Sequence, residues 1–325
     1  MQSALIIGIA SQDGSYLAEL LIAKKYRLIG TFRPDSSDDL SNISHLKGKF
    51  IPATADLLKP QSLIRVIKKY QPSQIYNLAA LSVPVNSWSQ AYITGQINAL
   101  GPVVILEAIK SYSPHSRFFQ AGSREMFGIQ SIASADESTP LSPANPYAIA
   151  KTHAHHMVKL YRNIGIYAVN GILFNHESPR RPPAFVTRKI TMSAAAIKKH
   201  RSDSEVLSPD GKLHLWEVDS AHDRGYAKEY VEAMWLMLQN KVPKDYVISS
   251  GQLHSIGEIC DIAFTFVGLN WCDHVVIDGL PENKQITPGL KGDSSAIRHD
   301  LGWHPKTTFK ELIEMMVTAD ISRLS

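Results

Sequence analysis

The sequence predicts an α/β fold built on a doubly wound parallel sheet, and three observations favour it. Apolar, strand-like runs alternate with amphipathic helical patterns from residue 3 to about residue 170, which is typical of a parallel sheet with helices on both faces. The first run leads through a tight glycine turn into a helix. Hydrophobic residues make up 44% of the 325-residue chain, so a large core can be buried.

The predicted strands follow one another along the amino-terminal half, each separated from the next by a helical pattern. They are LIIGI, YRLIGTF, KFIPATAD, QIYNLAA, SRFFQAGS and IYAVNGILF. Beyond them, AKEYVEAMWLMLQ predicts a helix, DYVISS a strand and FKELIEMMVTADI a terminal helix. We therefore expect a Rossmann-type domain over residues 1–172, with a returning helix and strand near 226–250. A smaller α/β substrate-binding lobe would take residues 173–225 and 251–325.

The first turn of the chain carries residues of a dinucleotide-binding motif. Gly8 and Gly14 hold the outer positions of a G-x-x-G-x-x-G pattern, but Ser11 stands where its middle glycine is expected. Such a turn brings backbone N–H groups and a helix N-terminus to a pyrophosphate. A strand-to-helix turn without a ligand is the alternative, and the Ser11 side chain would weaken or reshape binding. We expect Gln12 and Asp13 to share this cofactor site.

The second strand ends in Arg33 rather than in an acidic residue. An acid there would accept hydrogen bonds from a ribose diol, whereas an arginine suits a 2′-phosphate, so NADP is favoured over NAD. A solvated loop charge is the alternative, and the acidic residues within 35–39 disfavour a phosphate. Further cofactor contacts are expected where later strands end, at Asp56, Leu57, Leu78, Ala79 and Ala80.

Tyr147 and Lys151 lie four residues apart in a helical pattern after the fifth strand. Residues at this spacing share a helix face, so the ammonium can approach the phenol and favour its ionised form. Tyr147 is then prepared to take a proton from a substrate hydroxyl, which Ser123 could hydrogen-bond. Glu125 is a candidate base for a carbon-bound proton once the adjacent carbon is a ketone. Chance occurrence on an ordinary helix surface is the alternative.

Composition argues against several other classes of protein. The net charge is +4 and the basic residues are scattered, so nucleic acid is not an expected partner. Cys260 and Cys272 are expected to be reduced thiols of a cytoplasmic protein. No apolar run approaches the roughly 18 residues of a membrane span. His153, His155 and His156 lack an acidic or cysteine partner at metal-ligand spacing, so no metal site is expected.

Several longer stretches carry more specific information than the glycine turn. They are QDGSYLAELL, NLAA, SPANPYAIAK, NGILFNHESPRR with FVTRKI, AKEYVEAMWLMLQ and GDSSAIRHDLGWHPKTTFKELIEMMV. Together they resemble, nearly end to end, the GDP-mannose 4,6-dehydratase family of the extended short-chain dehydrogenase/reductase superfamily. The resemblance implies an NADP-dependent enzyme that dehydrates a small-molecule nucleotide sugar, GDP-mannose or a relative, and that assembles as a homodimer or homotetramer.

The resemblance also implies a role for each candidate residue. Tyr147, with Lys151 and Ser123, would remove the C4 hydroxyl proton while NADP⁺ takes the C4 hydride. Glu125 would then remove the C5 proton, water would leave from C6, and the hydride would return to C6. His176 joins the expected cofactor site. Substrate contacts are implied at Ser82, Glu125, Asn175, Arg180, Val186, Arg188, Lys189, His222 and Arg224.

Several ligand-binding positions depart from the family pattern. Arg124 stands where a small hydroxyl residue normally lies. His222 and Arg224 lie in a stretch that holds an arginine and a tryptophan in the family. Asn283 and Ile286 replace an arginine and a glutamate that hold the diphosphate and ribose.

These departures leave four alternatives to ordinary dehydration of GDP-mannose. The chain could act on a different nucleotide sugar, or it could be a slow or specialised dehydratase. It could also be a related 4-keto reductase or epimerase, or it could bind a nucleotide sugar or cofactor without turnover. Glu125 favours a dehydratase, because generic nucleotide-sugar epimerases carry a small residue at its position. A reductase would consume NADPH stoichiometrically, whereas a dehydratase recycles it.

Overall fold

The computed structural model describes residues 2–33, 40–130, 132–201, 204–280 and 289–324. The acidic run after Arg33 and the departures at Asn283 and Ile286 lie outside the described residues. The strands are β1 (Ser3–Ile7), β2 (Arg27–Phe32), β3 (Ile51–Thr54), β4 (Gln74–Asn77), β5 (Arg117–Ala121), β6 (Ser134–Ala135), β7 (Ala168–Leu173), β8 (Asn175–Glu177), β9 (Leu213–Leu215), β10 (Ala221–Tyr226), β11 (Tyr246–Ile248), β12 (Leu253–Ser255), β13 (Val275–Ile277) and β14 (Lys291–Gly292). The α-helices are α1 (Gln12–Ala23), α2 (Pro60–Tyr70), α3 (Ala91–Gly95), α4 (Gly101–Tyr112), α5 (Pro146–Asn163), α6 (Val186–Lys198), α7 (Ala227–Met237), α8 (Ile256–Phe266), α9 (Ser295–Leu301) and α10 (Phe309–Arg323).

A seven-stranded sheet forms the centre of the molecule, in the order β11-β7-β5-β4-β1-β2-β3. All of its neighbouring strands run parallel. Strand β1 lies between β2 and β4. Strands β2 and β3 extend the sheet on one side of β1, and β4, β5, β7 and β11 extend it on the other side. This topology confirms the predicted doubly wound parallel sheet. It also opens a crevice at the carboxyl ends of β1 and β4, where ligands bind in such folds.

Strand β1 supplies apolar side chains to both faces of the sheet. Leu5 and Ile7 belong to a buried cluster with residues of α2 and α4, whereas Ala4 and Ile6 belong to a second cluster with residues of α1 and α7. Side chains alternate between the two faces of a strand, and here both faces are covered by helices. The continuous apolar run of the sequence therefore reflects burial on both sides.

The carboxyl-terminal half adds smaller sheets and a helical cluster. Strands β12, β10 and β8 form a three-stranded sheet, while β13 pairs with β9 and β14 with β6. Helices α6, α8 and α10 share an apolar cluster that includes Ile190, Ile259 and Ile313. Strand β11 returns to the central sheet, where Tyr246 pairs with Gly171. The division into a cofactor domain and a substrate-binding lobe stays a prediction.

One helical stretch among the described residues, Ala91–Tyr112, is long and apolar enough to cross a membrane by length and composition alone. It comprises α3, a π-helical turn and α4. In its most apolar part, 56% is buried inside the protein, and it packs against α2 and α5. These are the contacts of a core helix.

Candidate active site

Two adjoining cavities lie at the carboxyl edge of the central sheet. The smaller, of about 330 Å³, lies over the ends of β1 and β2. The larger, of about 1030 Å³, extends past the ends of β5 and β7 toward α6 and β10. Both cavities are lined by Ala10, Ser11, Leu78, Ala80 and Ser82.

The smaller cavity gathers most of the predicted cofactor residues, and it lies beside the N-terminus of α1. Its lining includes Gly8, Ser11, Arg33, Asp56, Leu57, Leu78, Ala79 and Ala80. The chain needs glycine in this turn, because Gly8 has a φ of +89° and a Cβ on it would lie 3.0 Å from the Ala79 backbone nitrogen. A Cβ on Gly14 would lie 2.2 Å from the Gly8 carbonyl oxygen. Gly14 therefore packs beneath the turn rather than lining the cavity.

Ser11 closes the turn that it was expected to disturb. Its hydroxyl donates to the Gly8 carbonyl at 2.9 Å and accepts from the Gly14 N–H at 3.0 Å. Ser11 is thus the N-cap of α1, a position at which serine is favoured. The side chain is turned back onto its own turn, so serine fits here in place of the expected glycine.

Gln12, Asp13 and His176 line the larger cavity instead of the smaller one. The Gln12 amide, which is buried, donates to the His176 carbonyl at 3.1 Å and accepts from the Ser178 hydroxyl at 2.8 Å. His176 donates from Nδ1 to the Phe174 carbonyl at 2.7 Å, and its Nε2 lies 3.0 Å from an Asp13 oxygen. These contacts join α1 to β8 in the lining of the larger cavity.

The Asp13–His176 contact behaves as an ion pair. Burial alone would raise the pKa of Asp13, but His176 and the Gln12 amide hold that pKa below its ordinary value. Burial alone would lower the pKa of His176, but the Asp13 carboxylate raises it above its ordinary value. Each partner therefore favours the charged form of the other.

The four predicted catalytic residues, Ser123, Glu125, Tyr147 and Lys151, all line the larger cavity. Ser123 and Glu125 follow the end of β5, while Tyr147 and Lys151 lie in the first turns of α5. Asn145 caps that helix, since its side chain accepts from the Ala148 N–H at 2.8 Å. The chain thus brings together the carboxyl end of a strand and the start of a helix, as the spacing predicted.

The electrostatics of the tyrosine and lysine differ from the prediction. Burial raises the pKa of Tyr147 to about 12, although a hydrogen bond with Ser123 opposes the rise. Burial also lowers the pKa of Lys151 to about 8. The Lys151 ammonium donates to the Ala121 carbonyl at 2.8 Å and lies 5.7 Å from the centre of the Tyr147 ring. Tyr147 is a neutral phenol at neutral pH here, because burial outweighs the Ser123 hydrogen bond and the positive Arg181, which act to lower its pKa.

Glu125 is approached on both carboxylate oxygens. Asn145 donates from Nδ2 to Oε2 at 3.2 Å. On the other side, the Arg124 Nε lies 3.4 Å from Oε1. The Ser123 hydroxyl accepts from the Glu125 N–H at 3.2 Å, which caps the short 3₁₀ turn Arg124–Phe127. A carboxylate is thus presented to the cavity from a fixed turn.

The predicted substrate residues divide into those that line the larger cavity and those that do not. Ser82, Asn175, Arg180, Arg188 and His222 line it. Two of these already have carboxylate partners, because Arg180 pairs with Glu19 and Arg188 with the buried Asp320.

The other predicted substrate residues, Val186, Lys189 and Arg224, lie outside the lining of both cavities. Lys189 donates from Nζ to the His214 carbonyl at 3.0 Å, and the buried Arg224 donates to the His254 carbonyl at 2.7 Å. Val186 packs against the apolar cluster of α6, α8 and α10. Each side chain is therefore engaged by the protein itself.

Arg181 is a cavity residue that the sequence reasoning did not single out. Its Nε lies 3.3 Å from a Glu177 oxygen, and its guanidinium lies 3.7 Å above the centre of the Phe185 ring. Its positive charge also acts to lower the pKa of Tyr147. The SPRR stretch contains Arg181 next to Arg180, but the sequence pattern predicted a substrate contact for Arg180 alone.

Comparison with known proteins now identifies the family. The sequence model of one family, described as GDP-mannose 4,6 dehydratase, matches residues 5–316. A curated relative, GDP-mannose 4,6 dehydratase 1 of Arabidopsis thaliana, is 40% identical over 331 residues, which cover 98% of this chain and 89% of that protein. The chain belongs to the GDP-mannose 4,6-dehydratase family. The resemblance drawn from the quoted stretches is thereby confirmed.

Solved structures extend the likeness of this family member to the whole fold. UDP-glucose 4-epimerase of Thermotoga maritima, solved with UDP-glucose, superposes with a TM-score of 0.86 at 17% identity over 100% of both chains. RMD from Pseudomonas aeruginosa, complexed with NADPH, gives a TM-score of 0.80 at 20% identity over 99% of this chain and 100% of that one. At these identities the likeness establishes the fold alone.

Proposed function

We propose that the protein catalyses the 4,6-dehydration of a nucleotide sugar, GDP-mannose or a close relative, with NADP as its hydride carrier. One observation carries the proposal. A base for a hydroxyl proton, Tyr147, and a base for a carbon-bound proton, Glu125, line the same cavity of about 1030 Å³. Family membership supports the same reaction.

The smaller cavity suits the nucleotide part of a nicotinamide cofactor. A glycine turn and the N-terminus of α1 border it, as expected for a pyrophosphate site. Arg33 also lines this cavity and supports NADP over NAD, because a guanidinium suits a 2′-phosphate. When bound, the nicotinamide would accept a hydride from C4 and return it to C6, so it would be unchanged after each turnover.

Tyr147 would take the proton of the C4 hydroxyl. The phenol must first lose its own proton to the solvent in the cavity, and two neighbours favour that loss. The Ser123 hydrogen bond and the positive Arg181 both act to lower the pKa of Tyr147. The Lys151 ammonium donates to the Ala121 carbonyl and so joins α5 to the end of β5 beside Tyr147.

Glu125 would act in the second half of the reaction. A ketone at C4 acidifies C5, so a carboxylate can remove the C5 proton. The C6–oxygen bond then breaks, and the hydroxyl leaves as water. A hydride at C6 and a proton at C5 complete the 4-keto-6-deoxy sugar. The water released consists of the C6 hydroxyl and one proton. This proton balances the one that the C4 hydroxyl loses, because the proton taken from C5 is replaced there.

We also propose that the protein is a cytoplasmic homodimer or homotetramer. Helices α3 and α5 pack together and expose Tyr92, Ile149 and Leu160. Tyr92 is 80% exposed, and a second copy would cover this apolar surface. Two free cysteines, Cys260 and Cys272, fit a reducing compartment. Light scattering after size-exclusion chromatography tests the assembly, and a monomer at micromolar concentration would contradict it.

The reaction is tested by incubating the protein with NADP⁺ and a panel of GDP-, UDP-, CDP- and dTDP-hexoses. Mass spectrometry follows the loss of one water from each sugar nucleotide. We expect loss from a GDP-hexose, and we expect Glu125→Gln and Tyr147→Phe to abolish it. Stoichiometric oxidation of added NADPH would instead identify a 4-keto reductase, and bound ligand without any product would identify a binding protein.

A further inference from the structure

Arg124 touches two residues of the cavity wall without lining the cavity itself. Glu125 and His222 both line the larger cavity. Arg124 lies behind them, with its side chain 11% exposed. Its Nε lies 3.4 Å from the Glu125 Oε1, and its Nη1 lies 3.2 Å from the His222 Nδ1. Arg124 can therefore act on a bound substrate only through Glu125 and His222, which line the cavity.

We propose that Arg124 is a positioning residue for Glu125, needed for removal of the C5 proton. This inference rests on the proposed dehydration, and it identifies the residue that orients Glu125, the base for the C5 proton. Arg124 contacts both Glu125 and His222, and this double contact is the observation that supports the inference.

The orientation of Glu125 depends on two fixed neighbours. Asn145 holds Oε2 from one side, and its own side chain is fixed because it caps α5. Arg124 lies against Oε1 from the other side. Because each oxygen has further lone pairs, the carboxylate can still accept a proton while its plane is held. Without Arg124, the Asn145 contact would be the one that still restrains the carboxylate among the described residues.

His222 anchors the far end of the Arg124 side chain. Burial and the positive charges of Arg224 and Arg124 lower the pKa of His222 to about 3, so the ring is neutral at neutral pH. A neutral ring can accept from the Arg124 N–H at Nδ1, and its proton then lies on Nε2. His222 belongs to β10, where it pairs with His254 of β12. Arg124 thus ties the turn after β5 to the β10 strand, and this anchor fixes the guanidinium beside Glu125.

The two halves of the reaction separate the effect of Arg124 from a general loss of structure. Oxidation at C4 uses Tyr147, which Arg124 does not touch among the described contacts. Elimination uses Glu125, which Arg124 does touch. Loss of Arg124 should therefore slow the C5 step and leave the C4 step close to its original rate.

The experiment compares Arg124→Ser, Arg124→Lys and the wild-type protein, with substrate deuterated at C4 or at C5. For Arg124→Ser we expect kcat to fall roughly 10- to 100-fold, as a misplaced catalytic group would cause, with KM nearly unchanged. The isotope effect at C5 should rise and the one at C4 should fall. Arg124→Lys should show a smaller change in the same direction, because an ammonium keeps the charge but loses the fork geometry. Arg65→Ser, an exposed change on α2, is the matched control.

Three results would overturn the inference: unchanged kinetics in Arg124→Ser, a rise in KM alone, or a loss of kcat with both isotope effects unaltered. If Arg124→Ser does not fold, Arg124→Lys decides the question by the same isotope effects. A wild-type protein that dehydrates no nucleotide sugar would overturn the proposed function instead, and that result is seen before any variant is measured.

Discussion

The Nε2 of His176 lies 3.0 Å from the Asp13 Oδ2 in the lining of the larger cavity. Asp13 stands in the first turn of α1, and His176 in β8. The contact therefore joins the turn beside the smaller cavity to β8.

This ion pair predicts a pH dependence of stability. The pKa of His176 is raised when folded, so its contribution is complete below the ordinary value of 6.5 and is lost as pH rises through the folded pKa. The pKa of Asp13 is lowered when folded, so its contribution is present above 3.8 and is lost as pH falls through the folded pKa. Both contributions are present together between these two ordinary values.

Asp13→Asn should therefore lower the free energy of unfolding most at about pH 5 to 6, by about 3 kcal/mol or more for a buried pair that loses one partner. The loss should shrink above pH 7. Chemical denaturation of wild type and variant across this range measures the difference. A difference that is constant from pH 5 to pH 9 would contradict the pairing.

Tyr147→Phe removes the proposed hydroxyl base and should lower kcat by roughly 10²- to 10⁴-fold, the usual contribution of a general base. The fold should survive, since the ring remains. Tyr161→Phe is the matched control, because Tyr161 lies on the same helix and its hydroxyl binds Glu107 instead. Steady-state kinetics of both variants decide the matter, and equal losses would argue against a catalytic role for Tyr147.

Lys151 should make the protein less stable as the pH falls toward 8. Its pKa is lowered by burial to about 8, from an ordinary value of 10.5, so the unfolded chain binds the proton more tightly than the folded protein. Stability relative to Lys151→Met should thus rise between pH 8 and 10.5, by up to about 3 kcal/mol for a shift of this size. Lys159→Met, an exposed change on the same helix, should show no such trend. Denaturation curves of each protein at the two pH values measure the free energy of unfolding. If the difference between wild type and Lys151→Met is the same at both pH values, the lowered pKa is refuted.

Arg33→Ala should weaken NADP⁺ by roughly 10- to 100-fold through loss of a charge-assisted contact, and leave NAD⁺ nearly unaffected. Arg27→Ala, at the exposed start of β2, the strand that precedes Arg33, serves as the control. Isothermal titration with each cofactor provides the dissociation constants. An equal rise in the dissociation constants of both cofactors would show that Arg33 does not bind the 2′-phosphate.

Much of the fold followed from the sequence because its signals are local. The apolar run of β1 and the alternation of strands and helices reflect burial within single elements, and each is read from neighbouring residues. The Tyr147 and Lys151 pair is equally local, since one helical turn sets its geometry. These features were therefore predicted at the correct positions.

Long-range pairing was not accessible in the same way. Arg180 and Arg188 were expected to face a ligand, but their carboxylate partners Glu19 and Asp320 lie 161 and 132 residues away in the chain. The lowered pKa of Lys151 is another such property, because it arises from burial by the assembled fold. Spacing along a helix shows which groups can meet, but the charge state of each group depends on what surrounds it.

The most direct test of the proposed reaction follows the hydrogen on C4 of the sugar. A GDP-hexose deuterated at C4 is mixed with unlabelled GDP-hexose, and the product is examined by NMR and mass spectrometry. The account predicts that the deuterium appears at C6 of the same molecule, with one water lost, because the hydride is taken and returned within one turnover. Product without deuterium at C6, or deuterium spread among unlabelled molecules, would contradict it.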